Sequence, residues 1–335
     1  MSTMFIAWGR LSRRTEDLSK ELGLESLFIY DRPPYIKAFI KTASVLWRKR
    51  PGIVFIQLPQ GPLLAETIVL SMLLGFHVVA DVHTGFIYTS TFKEALLNKP
   101  FHGYLRKASL IMAHNMLEQE LIVERVGVSV EKTLVVYDPP PKPPQILVKP
   151  KIDIDFRNAI VLPSSWSPDE PIDKVVAEFL RSRALNDVAL IITGSWWRNV
   201  GMYRRVKAIV DGFGKADKIV LTGFIPDEEY FYLLKSCRAV VVLTNREYTL
   251  PHTLWEAVVL GKLFIVSRTR AIERELGLGY PYMFKPDLSN FTNVLYRCLG
   301  EEGAEKALEI SGKLKLKSIE SISKLKEALQ TLERV

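Results

Sequence analysis

Two glutamates lie close to a predicted helix start in residues 244–256, and their side chains could bind hydroxyl groups. Glu247 lies in a polar loop, and Glu256 follows Pro251 in a segment with helical spacing. An ionised carboxylate only accepts hydrogen bonds, so a pair of carboxylates suits a ligand that offers hydroxyls, such as a ribose diol or a sugar. The alternative is that both glutamates are solvated and complement the helix dipole.

Two strands and a helix must position these glutamates. The β-branched run at 239–243 predicts a buried strand of a parallel sheet, and residues 263–266 predict the next strand. Between them, Pro251 favours the start of a helix, and Gly261 ends it. The backbone amides of His252, Thr253 and Leu254 would then face the loop, where the helix dipole favours a phosphate.

The stretch TNREYTLPHTLWEA at 244–257, followed by LGK at 260–262, resembles the nucleotide-sugar signature of GT-B-fold glycosyltransferases, especially family four. Members usually have seven residues between the glutamates and a proline after the Gly-Lys pair. Here eight residues separate Glu247 from Glu256, and Leu263 replaces the proline. The resemblance implies an α/β protein with two Rossmann-like, doubly wound parallel-sheet domains and a cleft between them. It also implies sugar transfer from a nucleoside diphosphate with retention of configuration.

The resemblance assigns roles in the second domain. Glu256 would hold the ribose, Glu247 would act as a catalytic carboxylate on the sugar, and Arg198 would neutralise the diphosphate during catalysis. The alternatives to Arg198 are Lys174, Arg204 and Arg205. Residues 163–171 and 192–198 are similar to the phosphate-side loops of the family, and 222–226 are similar to the segment that contacts the base. The other donor-binding candidates are Gly194, Gly223, Phe224, Thr249, Leu250, His252 and Thr253.

In the first domain, Asp81 and His83 follow the fourth predicted strand at its carboxyl end, where α/β sheets bind ligands. They resemble the segment that this domain of the family offers to the donor sugar and its leaving phosphate. A histidine there can hydrogen-bond a hydroxyl or the phosphate, which makes His83 a catalytic candidate and Asp81 a donor-binding one. The alternative is a capping aspartate beside a packed histidine.

The turn after the first strand carries a single glycine, Gly9, followed by Arg13 and Arg14. A dinucleotide fingerprint needs three glycines, so a nicotinamide or flavin enzyme is excluded. Gly9 is a donor-binding candidate, and either arginine could contact a phosphate of donor or acceptor. A solvated basic helix start is the alternative.

Alternating strand and helix patterns run through the chain, which predicts parallel sheets covered by helices. The predicted domains are 1–145 on the acceptor side, 146–302 for the nucleotide sugar, and C-terminal helices at 303–335 that return to the first domain. A proline-rich connector from Asp138 to Pro144 marks the boundary. Predicted strands lie at 4–8, 26–30, 53–57, 77–82, 110–114 and 133–137, then at 158–162, 189–193, 218–221, 239–243 and 263–266.

The composition limits which cellular environment and which binding partners are expected. The chain has 335 residues, a net charge of +8 and two cysteines without metal spacing. A reduced, cytoplasmic environment is the simplest account, and no signal peptide or membrane-spanning stretch is expected. The positive charge favours acidic partners, which include nucleoside diphosphates, anionic lipid and nucleic acid.

A helix predicted at 35–50 carries apolar residues on one face and basic residues on another. The apolar face consists of Ile36, Phe39, Ile40, Ala43, Leu46 and Trp47, and the basic residues are Lys37, Lys41, Arg48, Lys49 and Arg50. One interpretation places this helix against an anionic membrane, which would make the protein peripheral on the inner membrane surface. The other has the apolar face packed on the sheet and the basic face in water.

Together these patterns predict a glycosyltransferase that uses a UDP- or GDP-sugar and a glycan or lipid-linked acceptor, with no metal and no further cofactor. An inactive GT-B scaffold that binds a sugar nucleotide or a partner is the first alternative. A basic nucleic-acid-binding protein is the second, and the scattered basic clusters without a nucleic-acid module argue against it. No nucleic-acid partner is therefore expected.

Overall fold

The computed structural model describes residues 2–89, 91–182, 185 and 187–334. The chain forms two compact units. Unit 1 comprises Met1–Pro139 with Lys317–Val335, and unit 2 comprises Pro140–Leu316. Each unit contains a six-stranded parallel sheet. The predicted α/β fold with two doubly wound sheets is confirmed.

Unit 1 is built on six strands. They are β1 (Thr3–Trp8), β2 (Glu25–Ile29), β3 (Ile53–Gln57), β4 (His77–Asp81), β5 (Leu110–Ala113) and β6 (Thr133–Val135), in the sheet order β2-β1-β3-β4-β5-β6. Apolar runs such as IVFIQ in β3 fit a sheet that is buried on both faces. The order reverses between β1 and β3, so the loops that leave these strands diverge and open a ligand crevice at their carboxyl ends.

Seven helices precede the connector in the described part of unit 1. They are α1 (Arg13–Leu22), α2 (Ile36–Lys49), α3 (Gly61–Leu74), α4 (Thr84–Ile87), α5 (Phe92–Asn98), α6 (His102–Leu105) and α7 (Met116–Val126). Short 3₁₀ turns lie at Lys99–Phe101 and Val130–Lys132. Phe5, Phe55 and Met112 from the sheet form the core with Leu18 of α1.

Unit 2 repeats this architecture. Its strands are β7 (Ala159–Leu162), β8 (Ala189–Thr193), β9 (Ile219–Gly223), β10 (Ala239–Val242), β11 (Phe264–Ser267) and β12 (Met283–Phe284), in the order β12-β11-β10-β7-β8-β9. The topological reversal therefore lies between β7 and β10. Strand β12 was not predicted, because two paired residues are too short to form a pattern.

The helices of unit 2 connect these strands and cover the sheet. They are α8 (Ile172–Arg181), α9 (Val200–Phe213), α10 (Asp227–Ser236), α11 (His252–Val259), α12 (Arg270–Leu276) and α13 (Phe291–Leu299). Turns of 3₁₀ helix lie at Phe156–Asn158, Trp196–Asn199 and Ala216–Lys218.

The C-terminal region forms one helix, α14 (Ala304–Glu333), where two had been predicted. That prediction is wrong because no proline interrupts the stretch and Gly312 alone does not end it. The helix starts in unit 2 and ends in unit 1. In unit 1, Ser318 Oγ donates to the Asp138 carbonyl at 2.7 Å, and Leu325 is buried in the core. No helix in the described residues is long and apolar enough to span a membrane.

Helix α2 does not bury the apolar face that the sequence suggested. Its buried residues are Ala38, Thr42, Val45 and Leu46. The side chains of Ile36, Phe39, Ile40 and Trp47 are at least half exposed. The interpretation in which the whole apolar face packs on the sheet is therefore wrong for these four residues.

Candidate active site

The β10–α11 junction of unit 2 carries the main predicted donor-binding residues. Pro251 has extended backbone angles and caps α11, which begins at His252. The Leu254 amide donates to the Pro251 carbonyl at 3.0 Å, so the prediction that it faces a phosphate is wrong for this conformation. Phosphate contact by the amides of His252 and Thr253 stays a prediction. The junction lies at the carboxyl edge of the sheet, beside the reversal between β7 and β10.

Glu256 lies one turn into α11 and is only 3% exposed. The Tyr230 hydroxyl of α10 donates to its Oε2 atom. His252 Nε2 lies 3.7 Å from its Oε1 atom, one helical turn earlier. The carboxylate is thus held in a fixed orientation by its neighbours. Its predicted contact with a ribose stays a prediction.

Glu247 occupies an exposed position and caps a neighbouring helix. Its Oε2 atom accepts the Arg270 amide at 2.9 Å, and its backbone carbonyl accepts the Ala271 amide at 2.8 Å. Carboxylates at a helix N-terminus are favoured by the dipole, so this contact orders the loop against α12. This partner could not be found from sequence spacing, because the two segments are more than twenty residues apart. The predicted sugar contact of Glu247 remains a prediction.

Asp169 was missed by the sequence analysis and joins the loops at the switch point of unit 2. Its carboxylate accepts the Thr244 hydroxyl at 3.1 Å and pairs with Arg246 at 3.0 Å. Its backbone carbonyl accepts the Asn245 amide at 2.8 Å. The PDEP sequence after β7 was the available signal, since β7 and β10 are neighbours in the sheet.

Gly194 and Gly223 let three strand ends approach closely. The Gly194 amide donates to the Gly223 carbonyl at 2.9 Å. A Cβ atom on Gly194 would lie 1.8 Å from the Ser164 carbonyl oxygen, and one on Gly223 would lie 3.0 Å from the Trp196 ring. Both glycines have positive φ, at 94° and 72°. Their first role in this structure is therefore close packing of backbone, and donor contact remains a prediction.

Replacing Gly223 by alanine should lower the free energy of unfolding by about 1–2 kcal/mol, because a side chain disfavours the left-handed region. Gly212 is the matched control, since it lies inside α9 and a Cβ atom there meets nothing within 4 Å. Gly212→Ala should stabilise by about 0.5–1 kcal/mol through helix propensity. Urea unfolding of both variants would measure the difference, and equal effects would contradict the packing role.

The remaining unit 2 candidates differ in accessibility. Phe224 is 80% exposed and Arg198 is exposed on the 3₁₀ turn after β8, whereas Leu250 is buried and Thr249 is half-buried. Of the alternatives to Arg198, Arg205 is already paired with Asp173 at 2.7 Å. Lys174 and Arg204 are exposed. Phe224 and Arg198 therefore have the surface access that contact with a base and a diphosphate requires.

Unit 1 has a second polar cluster at the carboxyl end of β4. Asp81 is fully buried, and the Arg14 guanidinium donates to both of its oxygens, at 3.0 and 3.3 Å. Arg14 also pairs with Asp138 at 2.8 Å. The prediction that Arg14 is available to a phosphate is therefore wrong, because two carboxylates hold it in the interior. The other predicted arginine, Arg13, is exposed.

Two histidines complete this cluster. His83 Nε2 lies 3.5 Å from one Asp81 oxygen and His114 Nε2 lies 3.4 Å from the other, and their rings meet edge to face at 4.5 Å. Burial and the neighbouring His114 lower the pKa of His83. Burial alone would raise the pKa of Asp81, but Arg14 and the two histidines keep it well below its usual value. His83 is thus neutral at pH 7 beside an ionised Asp81.

His114 was assigned no role from the sequence, yet it shares Asp81 with His83. Behind it, the buried Glu118 accepts the His114 amide at 2.7 Å and the Thr84 hydroxyl at 2.8 Å. Burial lowers the pKa of His114, but Glu118 and Asp81 outweigh this and leave the pKa raised. The signal that could have found His114 is its place directly after β5, the strand next to β4.

One atom each from Asp81, His83 and His114 lies within 4.8 Å of the others, which is close enough for a metal ion. However, the Arg14 guanidinium already donates to both Asp81 oxygens. A fixed positive charge at that distance opposes a divalent cation, since like charges in a buried site repel strongly. The Arg14 charge therefore makes this group of side chains a poor fit for a metal centre.

Gly9 lies at the reversal between β1 and β3, the crevice of unit 1. Its φ of 70° is left-handed, and a Cβ atom would lie 3.3 Å from the Asp31 carbonyl. Gln57, which the sequence analysis missed, fixes the loop that follows. It accepts the Ser12 amide at 2.9 Å and donates to the Arg10 carbonyl at 2.7 Å.

The fold is that of the GT-B glycosyltransferases, as the motif at 244–262 had implied. No protein-family model matches the sequence, and no curated protein does. Among solved structures, Anabaena HepE in complex with UDP matches with a TM-score of 0.73 and 13% identity, over 99% of this chain and all of that chain. HepE has also been solved with UDP-glucose.

Two further structures are similar over nearly their whole lengths. A glycosyltransferase from Rickettsia africae has a TM-score of 0.73 and 13% identity, with 99% of this chain and 98% of that chain covered. The lipopolysaccharide outer core galactosyltransferase WaaB in its apo form has a TM-score of 0.70 and 13% identity, with 99% of each chain covered.

Proposed function

We propose that this protein is a glycosyltransferase that moves a sugar from a nucleoside diphosphate to a glycan or lipid-linked acceptor. We further propose that the reaction retains configuration and uses no metal. The observation that carries the proposal is the α11 start with the buried, oriented Glu256, at the switch point of a GT-B unit. HepE, which has this fold over its whole length, binds UDP-glucose.

Unit 2 binds the nucleotide in this proposal. Glu256 accepts ribose hydroxyls, and the amides of His252 and Thr253 with Arg198 stabilise the departing diphosphate. Preorganised donors of this kind usually make the largest contribution to catalysis, because they need no reorganisation as charge develops. Phe224 supplies an exposed apolar surface for the base.

Unit 1 acts on the sugar and the acceptor in this proposal. The lowered pKa of His83 leaves it neutral at pH 7, so it can donate one hydrogen bond and accept another. Asp81 orients the ring, and Arg14 keeps Asp81 ionised. Arg14 supplies the positive charge of this cluster, which supports a mechanism without a metal. The basic surface of α2 supports a peripheral contact with an anionic membrane.

A screen of thermal stability with UDP-, GDP- and ADP-glucose tests the donor proposal. A donor that binds only the folded protein should stabilise it by about 2.7 kcal/mol at one hundred times its Kd. Stabilisation by one nucleotide class, together with donor hydrolysis or transfer, is the expected result. Absence of any shift at millimolar donor would contradict the proposal.

An inactive scaffold that binds a sugar nucleotide is the second candidate. This candidate is favoured by Glu247, because its carboxylate accepts a hydrogen bond from the first residue of α12 and is already engaged within the protein. The same screen distinguishes the two, because a scaffold would show the stabilisation without hydrolysis or transfer.

A further inference from the structure

An apolar pocket of about 320 Å³ lies between α2 and α3 of unit 1. Phe39 and Ala43 of α2, Ala65, Glu66 and Val69 of α3, and Phe101 line it. This volume falls at the lower end of the range of about 300–1,000 Å³ found for small-molecule sites. Walls of this composition favour a hydrocarbon group over a polar one, because burial of apolar surface drives the association.

Glu66 is the only charged residue among those that line the pocket. Its side chain is 4% exposed, and neither carboxylate oxygen makes a hydrogen bond with any residue that the structure describes. Burial raises the pKa of Glu66 to about 8. The carboxyl group is therefore mostly uncharged at pH 7, which leaves the pocket compatible with hydrocarbon.

Further apolar side chains are exposed on the two helices that line the pocket. Ile36, Ile40 and Trp47 extend the α2 side, and Met72 and Leu73 extend the α3 side. On α2 these residues recur with the spacing of one helical face. Exposed apolar side chains that cluster on one face and are rimmed by polar residues mark interaction sites.

Basic side chains lie along one edge of this apolar face. Lys37, Lys41 and Arg48 fall on the same side of α2, one to three turns apart, and all three are exposed. Arg50 lies over the Trp47 ring at 4.6 Å. No acidic residue occurs between Asp31 and Glu66. An apolar face bordered by positive charge complements the surface of an anionic bilayer.

We propose that the α2–α3 face of unit 1 docks on an anionic lipid bilayer, with one acyl chain entering the pocket beside Glu66. The lysines and Arg48 contact the lipid headgroups, and Trp47 lies at the interface. This proposal specifies the membrane contact suggested above and does not depend on sugar transfer. Donor stabilisation and vesicle binding are measured separately, so either can fail alone.

Vesicle flotation tests the charge contribution. The protein should bind vesicles of phosphatidylcholine mixed with phosphatidylglycerol and not vesicles of phosphatidylcholine alone. Lys37→Gln with Lys41→Gln should weaken binding about 30-fold, since each basic residue near the surface contributes about fivefold. The matched control changes Lys207 and Lys235, which are exposed lysines of unit 2, to glutamine. If the α2 double variant and the control double variant lose the same affinity for vesicles, or if the wild-type protein does not bind vesicles, the proposal is overturned.

Fluorescence quenching tests insertion of this face into the bilayer, and a pocket-filling variant tests the acyl chain. Lipids brominated on their chains should quench the wild-type protein, and Trp47→Phe should remove that part of the quenching. Ala65→Trp fills the pocket without changing charge, so it should weaken binding to anionic vesicles several-fold. Phe92→Ala, at an exposed apolar residue of α5, should have no effect. If brominated chains do not quench Trp47, docking of this face on the bilayer is wrong, and if filling the pocket leaves binding unchanged, the acyl-chain assignment is wrong.

The ionisation of Glu66 gives an independent test. Above pH 8 the carboxylate becomes charged in the apolar pocket, so wild-type binding should fall as the pH rises through this value, whereas Glu66→Gln should not show that fall. If the wild-type protein and Glu66→Gln show the same pH dependence of vesicle binding, no acyl chain lies beside Glu66. A second copy of the chain on this face would instead appear as a dimer in sedimentation experiments without lipid, and a stable dimer would overturn the bilayer assignment.

Discussion

Arg14→Met is expected to destabilise the protein by about 3–5 kcal/mol at pH 7, the range measured when one partner of a buried ion pair is removed. Arg14 is buried between Asp81 and Asp138, so its loss leaves two carboxylates without their positive partner. Methionine keeps most of the side-chain volume, which limits the contribution of a cavity. Equilibrium unfolding in urea would measure the change, with Arg10→Met at an exposed site as the control.

The pH dependence distinguishes lost charge pairing from lost packing. In the folded wild-type protein the pKa of Asp81 lies well below 3.8, so its contribution to stability is full above that value and is lost as the pH falls through the folded pKa. Removing Arg14 removes the largest cause that lowers this pKa. The deficit of Arg14→Met should therefore be greatest near pH 7 and shrink as Asp81 becomes protonated in acid. A deficit that stays constant with pH would indicate packing alone.

The strands were predictable because each is a short apolar run between polar turns, as in β3 and β10. Their existence follows from local composition, and the parallel arrangement follows from the helices between them. The two wrong predictions about helices, which concern the number of C-terminal helices and the buried face of α2, have a different origin. Whether residues 303–335 form one helix or two, and which face of α2 is covered, depends on neighbours that lie far away in the chain. Periodicity identifies an apolar face but not the element that packs against it.

The candidate site was predictable only where its residues are adjacent in the sequence. Glu256 and His252 share one helix, and Asp81 and His83 share one strand end, so each pair can be found by spacing. The capping of α12 by Glu247, the junction at Asp169 and the Arg14–Asp81 pair join segments that meet only in the folded sheet order. Residues such as His114 become visible once β5 is known to lie beside β4.

Glu256→Gln is expected to weaken nucleotide-sugar binding about 10- to 100-fold. A hydrogen bond to a charged group contributes about 1.5–3 kcal/mol, and each 1.4 kcal/mol is tenfold in Kd. Glutamine keeps the shape of the side chain and still offers an oxygen to Tyr230, so the fold should persist. Tyr230→Phe is the matched control, because it removes the partner hydroxyl and leaves the carboxylate in place. Titration calorimetry with the nucleotide that stabilises the protein would measure both variants.

A nucleotide without the ribose hydroxyls tests whether Glu256 contacts them directly. If Glu256 accepts the ribose hydroxyls, the 2′,3′-dideoxy form of the nucleotide should bind the wild-type protein more weakly, and Glu256→Gln should cause little further loss. The coupling between residue and hydroxyl should then be of the order of 1 kcal/mol or more, the size seen for groups in direct contact. If the losses in binding free energy from the dideoxy nucleotide and from Glu256→Gln simply add, Glu256 does not contact the ribose. In that case Glu256 would serve only to hold Tyr230 and His252, and the nucleotide site would have to be sought away from α11.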